Sequence, residues 1–351
     1  MKKHIICLGL MLIALASCNK MPVTGTVSGE PATVVVNVHN GAMTKAEAYL
    51  DQQNYEKQIN NVQVLIFDES GNLNAYKDAG TTSTDITLTS TTGLKKIWAV
   101  VNGPDLSGIA HLSDLKAVEV NLDANSVTAS KGFLMVGSID YTVSNASTTP
   151  ASVTVSRLLS RIALRSVTHT SPTAFGEMVI ERAFLQNVVS NYTLGNGSAS
   201  ELSWVNKMGK NSESVIIDGS TSVASYAELT YTDINSTLSV NETYTPAIPD
   251  LLYCYPNSTT TYTTSSSWSV RKTALTLAVK FPLVDDLTRY YTIILPDNQS
   301  GTLSPNTAYT VDVTISGLGS PDVEKPVEKS NYTASITVAD WATGAVLNES
   351  L

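Results

Sequence analysis

Cys18 is the residue whose setting most directly implies chemistry. It follows the basic pair Lys2 and Lys3, an apolar run from Ile5 to Ala16, and closes the tetrapeptide Leu15-Ala16-Ser17-Cys18. A basic start, a short apolar stretch and small residues at its end make an export signal, too short to span a bilayer comfortably. The tetrapeptide resembles the bacterial lipobox, in which cleavage between Ser17 and Cys18 leaves an acylated cysteine as the first residue. Each buried CH₂ adds about 0.8 kcal/mol of membrane affinity, so several acyl chains together anchor a protein. The alternative is an ordinary secretory leader with an incidental cysteine.

The other reactive side chains are scattered. Cys7 lies in the leader and Cys254 stands alone, which argues against a disulfide framework or a metal site. His39, His111 and His169 fall in three separate segments. There is no GxSxG elbow, phosphate-binding glycine loop, HExxH pair or EF-hand loop, so no catalytic residue, metal or cofactor is expected. Tyr253, Tyr255, Tyr290 and Tyr291 read either as a sugar platform or, more simply, as cross-strand packing. Gly317-Leu318-Gly319 lacks the third glycine of a dinucleotide loop and reads as a hinge, and Asp250, Asp285 and Asp286 as loop carboxylates. The formal net charge of −9 would repel phosphate backbones and excludes nucleic-acid partners.

The elements around these residues are strands. Few charges (15%), and more Tyr (15) than Phe (5), suit sheets with one wet face. Thr33–His39 puts Val34, Val36 and Val38 on one face and ends at the Asn40-Gly41 turn signal. Residues 42–58 lack a period of two and read as a loop or short helix. Strands are predicted at 62–67, 73–77, 85–89, 96–102, 132–136 and 152–157, with a helix at 111–117. A second series follows at 161–167, 178–189, 251–255, 274–281, 290–295 and 309–316. Long surface loops are expected between Asn191 and Pro249. Short strands at this spacing give an all-β sandwich architecture rather than βαβ units. The chain divides into a leader (1–17), a tether and first strand (18–45), an N-terminal sandwich (46–157), a C-terminal sandwich (158–318), and a proline-broken linker with a last strand (319–351). That last strand, Ala334–Trp341, presents Ala334, Ile336 and Val338 at the spacing of the three valines of the first. Either each strand belongs to its own domain, or one can take the place of the other through main-chain bonds to a sheet edge.

Five segments, in order, resemble the fimbrillin family, the major subunits of type V pili of Bacteroidales. They are Asn61-Val-Gln-Val-Leu-Ile-Phe-Asp-Glu-Ser-Gly71, Lys95-Lys-Ile-Trp-Ala-Val-Val-Asn-Gly103, Arg157-Leu-Leu-Ser-Arg-Ile-Ala-Leu164, Ala308-Tyr-Thr-Val-Asp-Val-Thr-Ile-Ser-Gly317 and Ile336-Thr-Val-Ala-Asp-Trp341. The resemblance implies two transthyretin-like β-sandwich domains with a C-terminal extension strand. It implies a lipoprotein precursor held in the outer membrane, and a mature subunit in a fimbrium on the cell surface. It further implies that a trypsin-like protease removes the first strand, and that the C-terminal strand of one subunit then fills the vacated groove of another. Partners would be other copies of this chain and the anchor and tip subunits, with a role in adhesion or biofilm formation. Family members offer an arginine just after the first strand; this chain has none before Arg157, and Lys45, followed by Ala46, holds the matching position. An uncleaved anchor subunit, or an outer-membrane carbohydrate-binding lipoprotein, are the alternatives. On the strand-exchange reading Ala334, Ile336 and Val338 are the donor residues, and Trp341 at the strand's end is either a large anchor or a packing residue of its own domain.

Overall fold

The computed structural model describes residues 29–40, 53–80, 85–128, 130–145, 149–195, 197, 203–207, 228–259, 270–296, 302–323 and 331–340. Strict alternation builds the first half. Its strands are β1 (Pro31–Asn40), β2 (Val62–Phe67), β3 (Leu73–Asp78), β4 (Asp85–Thr91), β5 (Gly93–Val101), β6 (Glu119–Asn121), β7 (Met135–Val143) and β8 (Ala151–Arg157). Two short helices interrupt them, α1 (Asn54–Lys57) and α2 (Leu112–Ala117).

Seven of these strands hydrogen-bond in the order β3-β2-β5-β7-β8-β1-β4. The ladder between β7 and β8 is only two residue pairs long, Met135 with Arg157 and Val136 with Ser156. Beyond it the sheet parts into two leaves that face each other, and a Cβ on Gly137 would overlap the Thr154 carbonyl where they diverge. Val62, Val64 and Ile66 of β2 and Ile97, Ala99 and Val101 of β5 pack in one core with β1 and β8.

The second half holds β9 (Ser160–His169), β10 (Met178–Gln186), β11 (Val188–Val189), β12 (Asn191–Thr193), β13 (Trp204–Val205), β14 (Tyr231–Leu238), β15 (Thr243–Tyr244), β16 (Asp250–Cys254), β17 (Ala274–Phe281), β18 (Asp285–Ile294), β19 (Thr307–Ile315) and β20 (Tyr332–Asp340). One sheet runs β14-β10-β17-β18, the other β15-β9-β19-β20 with β16 also on β9. The outer side of the first half, Leu65, Phe67, Trp98 and Val100, joins the core of the second through Leu106, Leu115, Leu122 and Phe133. Pairing of β6 with β12 stitches the halves together. The expected boundary near Arg157 falls between β8 and β9, where Leu158 and Leu159 are buried in that shared core. No helix among the described residues is long and apolar enough to cross a membrane.

Several predicted elements move. The strand expected at 132–136 begins at Met135 and runs to Val143. The long strand expected at 178–189 breaks at Asn187, which has a positive φ of 55°. The region expected to be loops contains β14, an eight-residue edge strand on β10. Its sequence Tyr-Thr-Asp-Ile-Asn-Ser-Thr-Leu is polar because an edge strand covers little core. Asp250 and Asp285 open strands instead of lying in loops. The linker read as free from residue 319 is docked at its start: Ser320 bridges Tyr290 of β18 in both directions, at 2.8 and 3.1 Å, and Val323 is buried against Phe184 and Ala278.

Candidate functional site

β1 occupies a slot with a neighbour on each side. It pairs antiparallel with β4 from Pro31 opposite Thr91 to Asn37 opposite Asp85, and parallel with β8 from Val36 opposite Ala151 to Asn40 opposite Val155. Val34, Val36 and Val38 point into the core and are buried; Thr33 is exposed, and Val35, Asn37 and His39 are half-buried on the other face. β-branched residues at every second position suit such a pleated, one-sided surface. On the wet face Asn37 donates to Asp85 at 2.7 Å, and His39 lies 3.0 Å from the Thr154 hydroxyl.

The slot has a physical particularity. β4 has β1 as its ladder partner, at the end of the sheet. On its other side β4 is tied to β3 through side chains, with Asn74 reaching Thr91 at 3.1 Å and Lys77 reaching the Thr87 carbonyl at 3.1 Å. A strand withdrawn from between β8 and β4 would therefore leave a groove floored by valine, isoleucine and leucine side chains and walled by two unpaired backbone edges.

β20 is held differently. It pairs with β19 alone, antiparallel, from Tyr332 opposite Ile315 to Asp340 opposite Thr307, at the edge of its sheet. Tyr332, Ala334 and Ile336 are half-buried while Thr333, Ser335 and Thr337 are exposed. Val338 stands opposite Tyr309 in the ladder. The last strand thus has the alternation of β1, one neighbour instead of two, and shallower burial. Ser17, Cys18, Lys45, Ala46 and Trp341 lie outside the described residues.

A buried polar cluster that sequence reasoning missed holds the chain after the first strand. The Glu56 carboxylate in α1 accepts hydrogen bonds from Arg161 at 3.2 Å and Tyr253 at 2.7 Å, and Arg157 Nε donates to the Glu56 carbonyl at 2.7 Å. All four residues are buried. Burial and the neighbouring Glu56 charge push the Tyr253 phenol well above its ordinary pKa. The Arg pair, four residues apart in the sequence, is the signal that could have suggested it.

The remaining candidates separate. His39, His111 and His169 sit on β1, before α2 and at the end of β9. Tyr253, Tyr255 and Tyr291 are buried, Tyr255 stacking on Tyr192 at 5.5 Å, so they pack rather than form an exposed platform. Burial drives the Cys254 thiol far up in pKa, which makes it a poor nucleophile. Among the described residues no group of His, Cys, Asp or Glu is placed to hold a metal ion.

Residues 32–178 match the family model described as the major fimbrial subunit protein (FimA). No curated protein matches the chain. Among solved structures, a candidate cell adhesion protein of Bacteroides eggerthii DSM 20697 aligns with a TM-score of 0.64 and 21% identity, covering 90% of this chain and 98% of that one. A fimbrilin (FimA) of Porphyromonas gingivalis W83 aligns with a TM-score of 0.59 and 13% identity, over 89% and 98%. The tip fimbrial protein Mfa3 of Porphyromonas gingivalis, truncated at its C-terminus, gives 0.52 and 14%, over 89% and 100%. Two of these three are fimbrial proteins and the other is a candidate cell adhesion protein. The chain therefore resembles the fimbrillins in sequence pattern from residue 32 to 178 and shares their β-sandwich fold along nine tenths of its length.

Proposed function

We propose that this chain is a fimbrial stalk subunit, made as a lipoprotein acylated at Cys18, that polymerises by strand exchange once a trypsin-like protease cuts between Lys45 and Ala46. The observation that carries the reading is the contrast between β1 and β20, which lie in different sheets. The first strand fills a two-sided slot, and the last, with the same apolar spacing, sits on a single edge.

Burial of each valine of β1 is worth about 1.5–3 kcal/mol, and its ladder bonds add to that. While β1 is covalently part of the chain its effective concentration excludes any strand from outside. A cut after Lys45 removes that advantage, and a C-terminal strand of another copy can then bond to both β8 and β4 where its own domain offers only β19. Partners are then further copies of this chain, the anchor and tip subunits of the fimbrium, the protease, and the outer membrane through lipid until the cut. Adhesion or biofilm support follows from the filament on the cell surface.

The test is N-terminal sequencing of sheared surface filaments together with deletion of residues 331–351. Filament subunits should begin at Ala46, and the deletion should leave a folded, processed subunit that makes no SDS-resistant ladders. Filaments that retain Cys18 or the Val34–Val38 strand would favour an uncleaved anchor; ladders that persist in the deletion would exclude β20 as the donor.

A further inference from the structure

The two exchange elements begin at opposite poles of the molecule and run toward the junction of its halves. β1 enters its slot at Pro31, opposite Thr91, and runs parallel to β8 toward Arg157, where the chain passes into the second half. A strand that replaces β1 with the same two neighbours and the same direction enters at the Pro31 end, the end farthest from the second half. β20 begins at Tyr332, opposite Ile315, and Ile315 lies beside His169, the end of β9 farthest from the first half. The Phe281 ring at the end of β17 lies 5.8 Å from His169, so the β17–β18 turn crowns this same pole.

Exposed apolar side chains cluster at the second of these places and occur at the first. Of the six large aliphatic side chains exposed among the described residues, three are on the β17–β18 turn or just after it: Leu283 (76% exposed), Val284 (38%) and Leu287 (55%). A fourth, Leu94 (45%), follows Gly93 beside Thr91 and Val143, at the pole where β1 enters. Leu283 is held outward over Gly176, whose left-handed φ of 66° and lack of a Cβ leave room for the Leu283 side chain.

We propose that the Leu283–Leu287 turn of one copy packs on the Leu94 turn of the next, a head-to-tail contact that seats the subunits while the strand exchanges. This rests on the strand-exchange reading: a chain leaving Asn331 reaches the Pro31 end of a neighbour with the polarity of β1 when that neighbour is stacked on the Leu283 pole. The contact joins two different surfaces, so it does not close on itself and propagates as a filament. Its partner is a second copy of this chain, whose exposed Leu94 is at the opposite pole.

The experiment uses the full chain, processed by the protease. Leu283→Asp with Leu287→Asp should keep the folded β spectrum and normal processing, take up a synthetic peptide of residues 331–341 as the parent does, and lower polymer yield by roughly tenfold or more. Ile248→Asp, equally exposed but on the flank, should polymerise as the parent does. A mixture of Leu94→Cys and Leu287→Cys chains should form an intermolecular disulfide in polymers, which decides the matter even if the double variant fails to fold. Normal ladders from the double Asp variant, or polymers without the disulfide, would overturn the contact while leaving strand exchange intact. A processed parent chain that neither polymerises nor takes up the peptide would overturn strand exchange, and the contact with it.

Discussion

Glu56 is a carboxylate withdrawn from water, and what surrounds it decides whether that is tolerable. Arg161 and Tyr253 both donate to it, and the Gln53 amide adds a third bond at 3.1 Å. Removing one member of such a buried pair leaves the other charge desolvated, which typically costs about 3–5 kcal/mol, far more than the intact pair contributes over an apolar substitute. Glu56→Ala should therefore lower the unfolding free energy by that order, whereas Lys96→Ala, which breaks the exposed pair with Asp140, should change it by less than about 1 kcal/mol. Under the proposed cut after Lys45 the cluster should hold the new N-terminal segment on the body: Glu56 lies ten residues beyond Ala46, and its bonds tie that segment to β9 and β16. Equilibrium unfolding of the precursor and the processed form, with and without Glu56→Ala, measures both effects.

At the scale of elements, β1 and β20 should respond in opposite ways to damage. Val36→Ala removes buried methyl groups from a strand with two neighbours and should cost the precursor about 1–3 kcal/mol. It should leave finished polymers as stable as before, because under strand exchange β1 is discarded. Ile336→Asp with Val338→Asp should lower the precursor's thermal midpoint only in part, since Ile336 is half-buried on an edge strand, and abolish SDS-resistant ladders, since charge would then have to enter an apolar groove. A third response is set by pH. Asp312 of β19 loses some solvation by burial, but its hydrogen bonds from Arg165 at 2.9 Å and Ser166 at 2.6 Å outweigh this and hold its carboxyl below the ordinary range. A depressed folded-state value means that stability is fully present above the unfolded pKa of about 3.9 and is lost as pH falls through the folded one. Acid unfolding below about pH 4 should be shallower in Asp312→Asn, read from midpoints at successive pH values.

The elements that could be read from sequence are those whose one face is fully buried. Val34, Val36 and Val38, or Ile86 and Leu88, alternate with polar residues because water and core divide the strand cleanly. β14 does not advertise itself, since at a sheet edge Thr232, Ile234 and Ser236 are only partly covered. Nor does the Glu56 cluster, whose partners are 105 and 197 residues away along the chain. The docked start of the linker was hidden for a related reason: Val323 is one apolar residue among prolines and charges, and its slot is assembled from β10 and β17.

For the whole molecule, the docked segment resets the geometry of assembly. If the linker were free from Gly319 it would give a donor strand the thirteen residues from 319 to 331 as slack before Tyr332; held at Val323, it offers the eight residues from 324 to 331, about 26–29 Å fully extended. Val323→Asp should free the tether, leaving the fold unchanged and making filaments less regular in axial repeat, measurable by negative-stain microscopy. Loss of filaments altogether would show that the docked segment is required for exchange itself.

The parallel pairs β1–β8 and β9–β19 also determine how the molecule bears a mechanical load. β8 runs through Leu158 and Leu159 directly into β9, and β19 runs out toward the tether. A pull between the strand in the slot and Gly317 therefore passes along one line: from that strand into β8, through two buried leucines into β9, and from β9 across eight residue pairs into β19. At both crossings the partners are drawn lengthwise past each other, so the ladder bonds share the tension rather than opening one at a time as in a peeled hairpin. A chain of such subunits would resist shear flow with every rung of each crossing at once, and would yield only when a whole ladder slips.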